Sequence, residues 1–193
     1  MSAYVLFFGG YQATLTHINI WSASAKAQKP DVTFDGYPYP AGASYTAASA
    51  IGAFKAAGSL ARAIGVIQEC AHGDKVYIVG HSSGCAIANE VDRGLKDTSN
   101  VVLVALDGFA PSRAQLTRES TQVWAAECGK ATSLNHKDLT KAVGSRLKIH
   151  KPANCYEQWA LHFSVVNSAA NDKAVTSIAT GYAQCRANLM WMP

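Results

Sequence analysis

No apolar run in this sequence approaches the length of a membrane span, so no bilayer-crossing helix is expected. Charge is scarce: Asp, Glu, Lys and Arg make up 16% of the 193 residues and balance to only +4. The basic residues are scattered, with no run interleaved with aromatics, which argues against nucleic acid as a partner. There is no C-x-x-C. The five cysteines, Cys70, Cys85, Cys128, Cys155 and Cys185, are odd in number and widely spaced. That disfavours a zinc site and a fully paired disulfide framework. The first residues, MSAYVLFFGG, lack a basic stretch and a small-residue cleavage site, and read as a buried strand rather than an export signal. Reduced thiols and a cytoplasmic location follow as expectations, with pairing among Cys128, Cys155 and Cys185 left open. Internal repeats, low-complexity linkers and domain boundaries are also missing, so residues 1–193 are expected to form one domain.

What is present is a rhythm of strands and helices. Tyr4–Phe8, Val32–Phe34, Val76–Val79 and the run NVVLVAL (Asn100–Leu106) read as strands, with weaker ones at Gln122–Ala126 and Leu147–Ile149. NVVLVAL has no polar alternation, the mark of a strand covered on both faces. Between these lie helical patterns around Ile18–Trp21, from Ser44 to Cys70 with a break at Gly58, from Gly84, over Lys137–Val143, and in the tail from Ile178 to Leu189. The alternation implies an α/β three-layer sandwich: a mostly parallel sheet of about 5–6 strands with helices on both faces.

The stretch KVYIVGHSSGCAIANEV (Lys75–Val91) carries the strongest local signal. Gly80-His81-Ser82-Ser83-Gly84 is a G-x-S-x-G placed after a strand and before a helix, the context a nucleophilic serine needs. Small neighbours let strand and helix pack closely around a strained turn that pushes the hydroxyl clear of the sheet. The helix start beneath it supplies positive potential, and the Ser83 amide points to where an oxyanion would form. A phosphate-binding glycine loop would need a lysine and longer glycine spacing.

A serine hydroxyl needs a base, and the base needs an orienting acid. Asp107 follows NVVLVAL directly and is the expected acid, although Asp-Gly also makes ordinary turns. Asp74 lies at the wrong end of its strand, and Asp35 and Asp172 are less well placed. Among histidines, His81 sits inside the elbow, and His17 and His72 come too early, which leaves His136, His150 and His162. The base is expected to be His162, in WALHFSVVN after the last strand, with His150 as the alternative.

These pieces resemble the α/β-hydrolase superfamily, and most closely the thioesterase domains of polyketide and nonribosomal peptide assembly lines. The match is carried by LFFGGYQ, by G-H-S-x-G at Gly80–Gly84, by Leu106-Asp107-Gly108-Phe109-Ala110-Pro111 and by His162-Phe163-Ser164. The resemblance implies a Ser82–His162–Asp107 triad and a second oxyanion donor from the backbone of Gly10 or Tyr11, beside Ser83. It also implies a small-molecule acyl ester or thioester as substrate, with no metal or organic cofactor. Such domains carry a helical lid between acid and histidine, whereas here Pro111 leads quickly to the next strand. The expectation is a lidless, open cleft between Tyr11, the GYPYP loop with Tyr37 and Tyr39, and the His162 loop, suited to short acyl chains. The same triad could serve an acyltransferase, and the same fold an inactive binding protein.

Overall fold

The computed structural model of the chain describes residues 2–70, 74–154, 157–169, 173–183 and 185–193. Seven strands among the described residues build the sheet: β1 (Ala3–Phe8), β2 (Val32–Tyr37), β3 (Lys75–His81), β4 (Val101–Leu106), β5 (Gln122–Cys128), β6 (Ala131–Thr132) and β7 (Leu147–His150). The order β2-β1-β3-β4-β5-β7 is parallel throughout, and β6 adds a short antiparallel step on β5. The register aligns Phe8 with Gly80 and His81 with Leu106. The carboxyl ends of β1, β3 and β4 therefore open onto one edge.

Eight α-helices among the described residues flank the sheet: α1 (Leu15–Gln28), α2 (Ala47–Ala56), α3 (Ser59–Cys70), α4 (Gly84–Arg93), α5 (Arg113–Leu116), α6 (His136–Val143), α7 (Gln158–Ser164) and α8 (Ile178–Ala183). Every residue of β4 is buried, as its unbroken apolar run requires when helices cover both faces. Thr14 starts α1 with a reciprocal cap: its hydroxyl accepts from His17 N, and its amide donates to His17 Nδ1. Gly58, at φ +70°, divides α2 from α3 where the sequence suggested a break. Phe7 stacks on Trp21 at 4.2 Å and ties α1 to the sheet.

Three expectations need correction. The tail helix stops at Ala183 instead of Leu189. Beyond it, Ser168 N donates to Arg186 O and Asn188 N to Val166 O, so the backbone is drawn into an antiparallel bridge. His162 lies within α7, not on a loop. The thiols are not all reduced: Cys128 is disulfide-bonded, while Cys70, Cys85 and Cys185 are free. Cys155, His72 and Asp172 lie outside the described residues.

Candidate active site

Ser82 stands between β3 and α4 with φ at +55°, a conformation a non-glycine residue adopts only when its surroundings enforce it. The enforcement is visible. The Ser82 amide donates to Leu106 O at 2.9 Å, and its carbonyl accepts from Cys85 N at 3.0 Å. A methyl group on Gly84 would sit 2.4 Å from Phe8 O and 2.5 Å from Gly9 O, so only glycine lets α4 start against the end of β1. The Ser83 hydroxyl is occupied, donating to Tyr45 O at 2.7 Å. Its amide carries no hydrogen bond among the described residues.

Asp107 follows β4, also at positive φ (+44°), and is fully buried. Its side chain is held from three directions. Oδ1 accepts from the Ser133 hydroxyl at 2.7 Å, and Oδ2 accepts from His162 Nδ1 at 2.6 Å and from the Asn135 amide at 3.4 Å. The Asn135 side chain donates to the Asp107 carbonyl at 2.7 Å. With Nδ1 committed to Asp107, His162 keeps Nε2 without a hydrogen-bond partner among the described residues. Its ring lies 4.7 Å from the ring of His81, the residue just before Ser82. Of the three expected triad members, Asp107 and His162 are thus directly bonded, and Ser82 is tied to the same edge through Leu106 and His81.

The other histidines are elsewhere. His150 closes β7 half-buried, and burial lowers its proton affinity. His136 opens α6 beside Glu127 at 3.4 Å. Asp74 precedes β3 at the opposite end of the strand, and Asp35 is engaged by the Tyr4 hydroxyl.

The loop after β1 comes close to the elbow. A methyl group on Gly10 would lie 2.8 Å from Ser82 Cβ, so the backbone there touches the candidate nucleophile. The Gly10 amide, however, donates to the Tyr182 hydroxyl at 2.8 Å. The Tyr11 amide has no such partner among the described residues, so of the two expected donors it is the one that is free. Gln12 follows at φ +65°.

Beside Ser82 lies a cavity of about 450 Å³. Its walls are Tyr11, Tyr45, Phe109, Leu134, Trp159 and Ile178, with Ser82, Ser83 and Asn135 as polar members and no charged side chain among the lining residues. Tyr45, Phe109 and Leu134 are unusually exposed for such side chains (66%, 39% and 40%) and form an apolar rim. The GYPYP loop, expected as a wall, does not line this cavity: Tyr39 is buried, donates to Ser44 O and meets Tyr11 edge-on. Tyr45, Leu134 and Ile178 could not have been picked from sequence, because nothing local marks them.

A family model described as alpha/beta hydrolase matches residues 12–135, more than half of the chain. No curated protein matches it. Among solved structures, TT1662 from Thermus thermophilus is 14% identical over 79% of this chain and 81% of its own, with a TM-score of 0.49. The ydeN gene product of B. subtilis is 17% identical over 77% and 84%, with a TM-score of 0.45. An acetyl xylan esterase is 12% identical over 94% and 97%, with a TM-score of 0.41. On the family match and on its fold, the chain belongs to the alpha/beta hydrolases.

Proposed function

We propose that this chain is a serine hydrolase that cleaves an uncharged, apolar carboxylic ester through an acyl-enzyme. The observation that carries the reading is the 2.6 Å contact between Asp107 Oδ2 and His162 Nδ1 at the sheet edge that presents Ser82. In this reading Ser82 Oγ attacks the acyl carbon while His162 Nε2 takes its proton. Asp107 keeps the imidazole in the tautomer that leaves Nε2 free, and stabilises the imidazolium that forms. The carbonyl oxygen gains negative charge and is held by the amides of Ser83 and Tyr11, worth about 10²–10³ in kcat per donor. The C–O bond breaks, His162 returns the proton to the departing alcohol, and water repeats the sequence to release the acid.

An ester is favoured over the thioester of an acyl carrier or coenzyme. Those substrates bring phosphates, and no cationic side chain stands among the residues lining the cavity. The apolar walls also favour a longer acyl group than an open, lidless cleft would. The disulfide at Cys128 fits an oxidising compartment better than the cytoplasm expected from the sequence.

A fluorophosphonate probe tests the reading, since it phosphonylates only an activated serine. Label on Ser82 in the wild-type chain, its loss in Ser82→Ala and the parallel loss of p-nitrophenyl ester hydrolysis are expected. A chain that takes no label and hydrolyses no ester is not a serine hydrolase.

A further inference from the structure

Tyr182, near the far end of the chain, reaches the site with its hydroxyl. That oxygen accepts from the Gly10 amide at 2.8 Å and lies 2.8 Å from His81 Nδ1. On the other side of the His81 ring, Nε2 is 3.0 Å from the His162 carbonyl. The directions of these bonds are fixed by chemistry. A carbonyl only accepts, so His81 Nε2 carries a hydrogen. A neutral imidazole then has a bare Nδ1, which must accept from the Tyr182 hydroxyl. The Gly10 amide only donates, and takes a lone pair of the same phenol oxygen. One proton arrangement satisfies every group in the chain Gly10–Tyr182–His81–His162.

The arrangement is buried and rigid. His81 is 0% and Tyr182 3% exposed. Phe163 meets Tyr182 edge-on at 4.8 Å and lies tilted against His81 at 5.0 Å, and His17 stacks on the Tyr182 ring at 5.3 Å. Burial pushes the Tyr182 phenol up and, with His162 nearby, holds His81 well below its ordinary range, so both stay neutral.

We propose that Tyr182 and His81 form a positioning relay that sets the oxyanion loop after β1 against the backbone of His162. Neither touches the reacting atoms. Their effect is on spacing: the relay holds the Gly10 peptide, and with it the amide of Tyr11, at a fixed distance from the helix that carries the base. Reaction rate depends on both being in place at once, and a shift of an ångström is costly. The inference rests on the serine-hydrolase reading above.

Tyr182→Phe keeps the ring packing and deletes the hydroxyl, leaving the Gly10 amide and His81 Nδ1 without partners. The expected result is a fall of about 10- to 100-fold in kcat, with KM changed less than about threefold. Affinity for a boronic acid that mimics the tetrahedral intermediate should fall by the same factor as kcat, while urea unfolding stays cooperative. His81→Gln, which can still donate to the His162 carbonyl, should be milder than His81→Leu. A Tyr182→Phe variant with kcat and boronic-acid affinity within about twofold of wild type overturns the relay, as does a variant that loses stability alone. Phosphonylation of the wild-type chain is measured alongside. If wild type takes no label, the hydrolase reading fails and the relay with it; if wild type reacts and Tyr182→Phe matches it, only the relay fails.

Discussion

The Ser133 hydroxyl donates to Asp107 Oδ1 at 2.7 Å, on the carboxylate oxygen opposite the one His162 uses. The same hydroxyl accepts from Ala126 N at 2.9 Å, so it hangs the carboxylate from the body of the sheet. Ser133→Ala leaves a buried amide and one carboxylate oxygen without this partner. The expected cost is about 1–3 kcal/mol in urea unfolding and about tenfold in kcat, because the imidazole loses part of its orientation. A variant as active and stable as wild type would mean that Asn135 and His162 suffice to hold Asp107.

Asp107→Asn should remain folded. Asparagine is among the side chains most at ease at positive φ, and it retains an oxygen for one of the present donors. The rate should fall by about four orders of magnitude, since an amide favours the wrong imidazole tautomer. Circular dichroism and ester hydrolysis measured together separate the two effects, and a near-normal rate would move the acid elsewhere.

If Ser82 and His162 act as a unit, as proposed, His162→Ala should be as damaging as Ser82→Ala, and the double variant no worse than either. His150→Ala should retain most of the activity, since His150 ends β7 without contact to Asp107. The reverse ranking would reassign the base.

If the cavity holds the acyl group, as proposed, its walls should set the acyl preference. Each methylene buried against them is worth about 0.8 kcal/mol, or roughly fourfold in kcat/KM. We expect p-nitrophenyl esters to improve from acetyl to hexanoyl and to decline at palmitoyl, which exceeds the enclosed space. A hemisuccinate ester should be poor, because its carboxylate would be desolvated against Tyr45, Phe109 and Leu134 without a cation. Efficient hemisuccinate turnover, or acetyl as the best substrate, would contradict the assignment of this cavity to the acyl group.

Stability should fall in acid. Burial lowers the proton affinity of His81, His17 and His150 below the ordinary value of 6.5. The unfolded chain therefore binds more protons than the native one once the pH drops below about 6.5. The contribution is fully present above that value and is lost towards lower pH, at up to about 1.4 kcal/mol per pH unit for fully buried His81. Urea unfolding between pH 7.5 and about 5 measures the slope, which His81→Gln should reduce. A slope that is unchanged in this variant would show that His81 is not the group responsible.

Much of the architecture is legible in the sequence because its signals are local. The run Val101–Leu106 announces a doubly covered strand, Gly58 a helix break and G-x-S-x-G the elbow. The position of Asp107, the candidate acid, is legible for the same reason, directly after its strand. His162 is legible as a candidate from its position after the last strand and from the His162-Phe163-Ser164 string, but not as a helical residue: α7 (QWALHFS) is seven residues long and buried from Ala160 to Ser164, so no polar period betrays a helix. Ser133 and Tyr182 left no trace, because their partners lie 26 and 172 residues away and exist only once the sheet has formed. The shortened tail helix has the same origin: backbone bonds to Val166 and Ser168 outweigh a local helical preference.

Gln12, Ser82 and Asp107 hold left-handed backbone at the carboxyl ends of β1, β3 and β4, three adjacent strands. Each such residue carries a conformational penalty of order 1 kcal/mol. The penalties are gathered at the edge proposed to do chemistry, so there local stability and activity are expected to pull in opposite directions. A screen of this chain for thermal resistance alone would tend to collect glycine at such positions and discard the enzyme while improving the scaffold. Gln12 makes the separation measurable, because its side chain has no hydrogen bond among the described residues. Selection for heat tolerance in this protein therefore needs an activity check at every round.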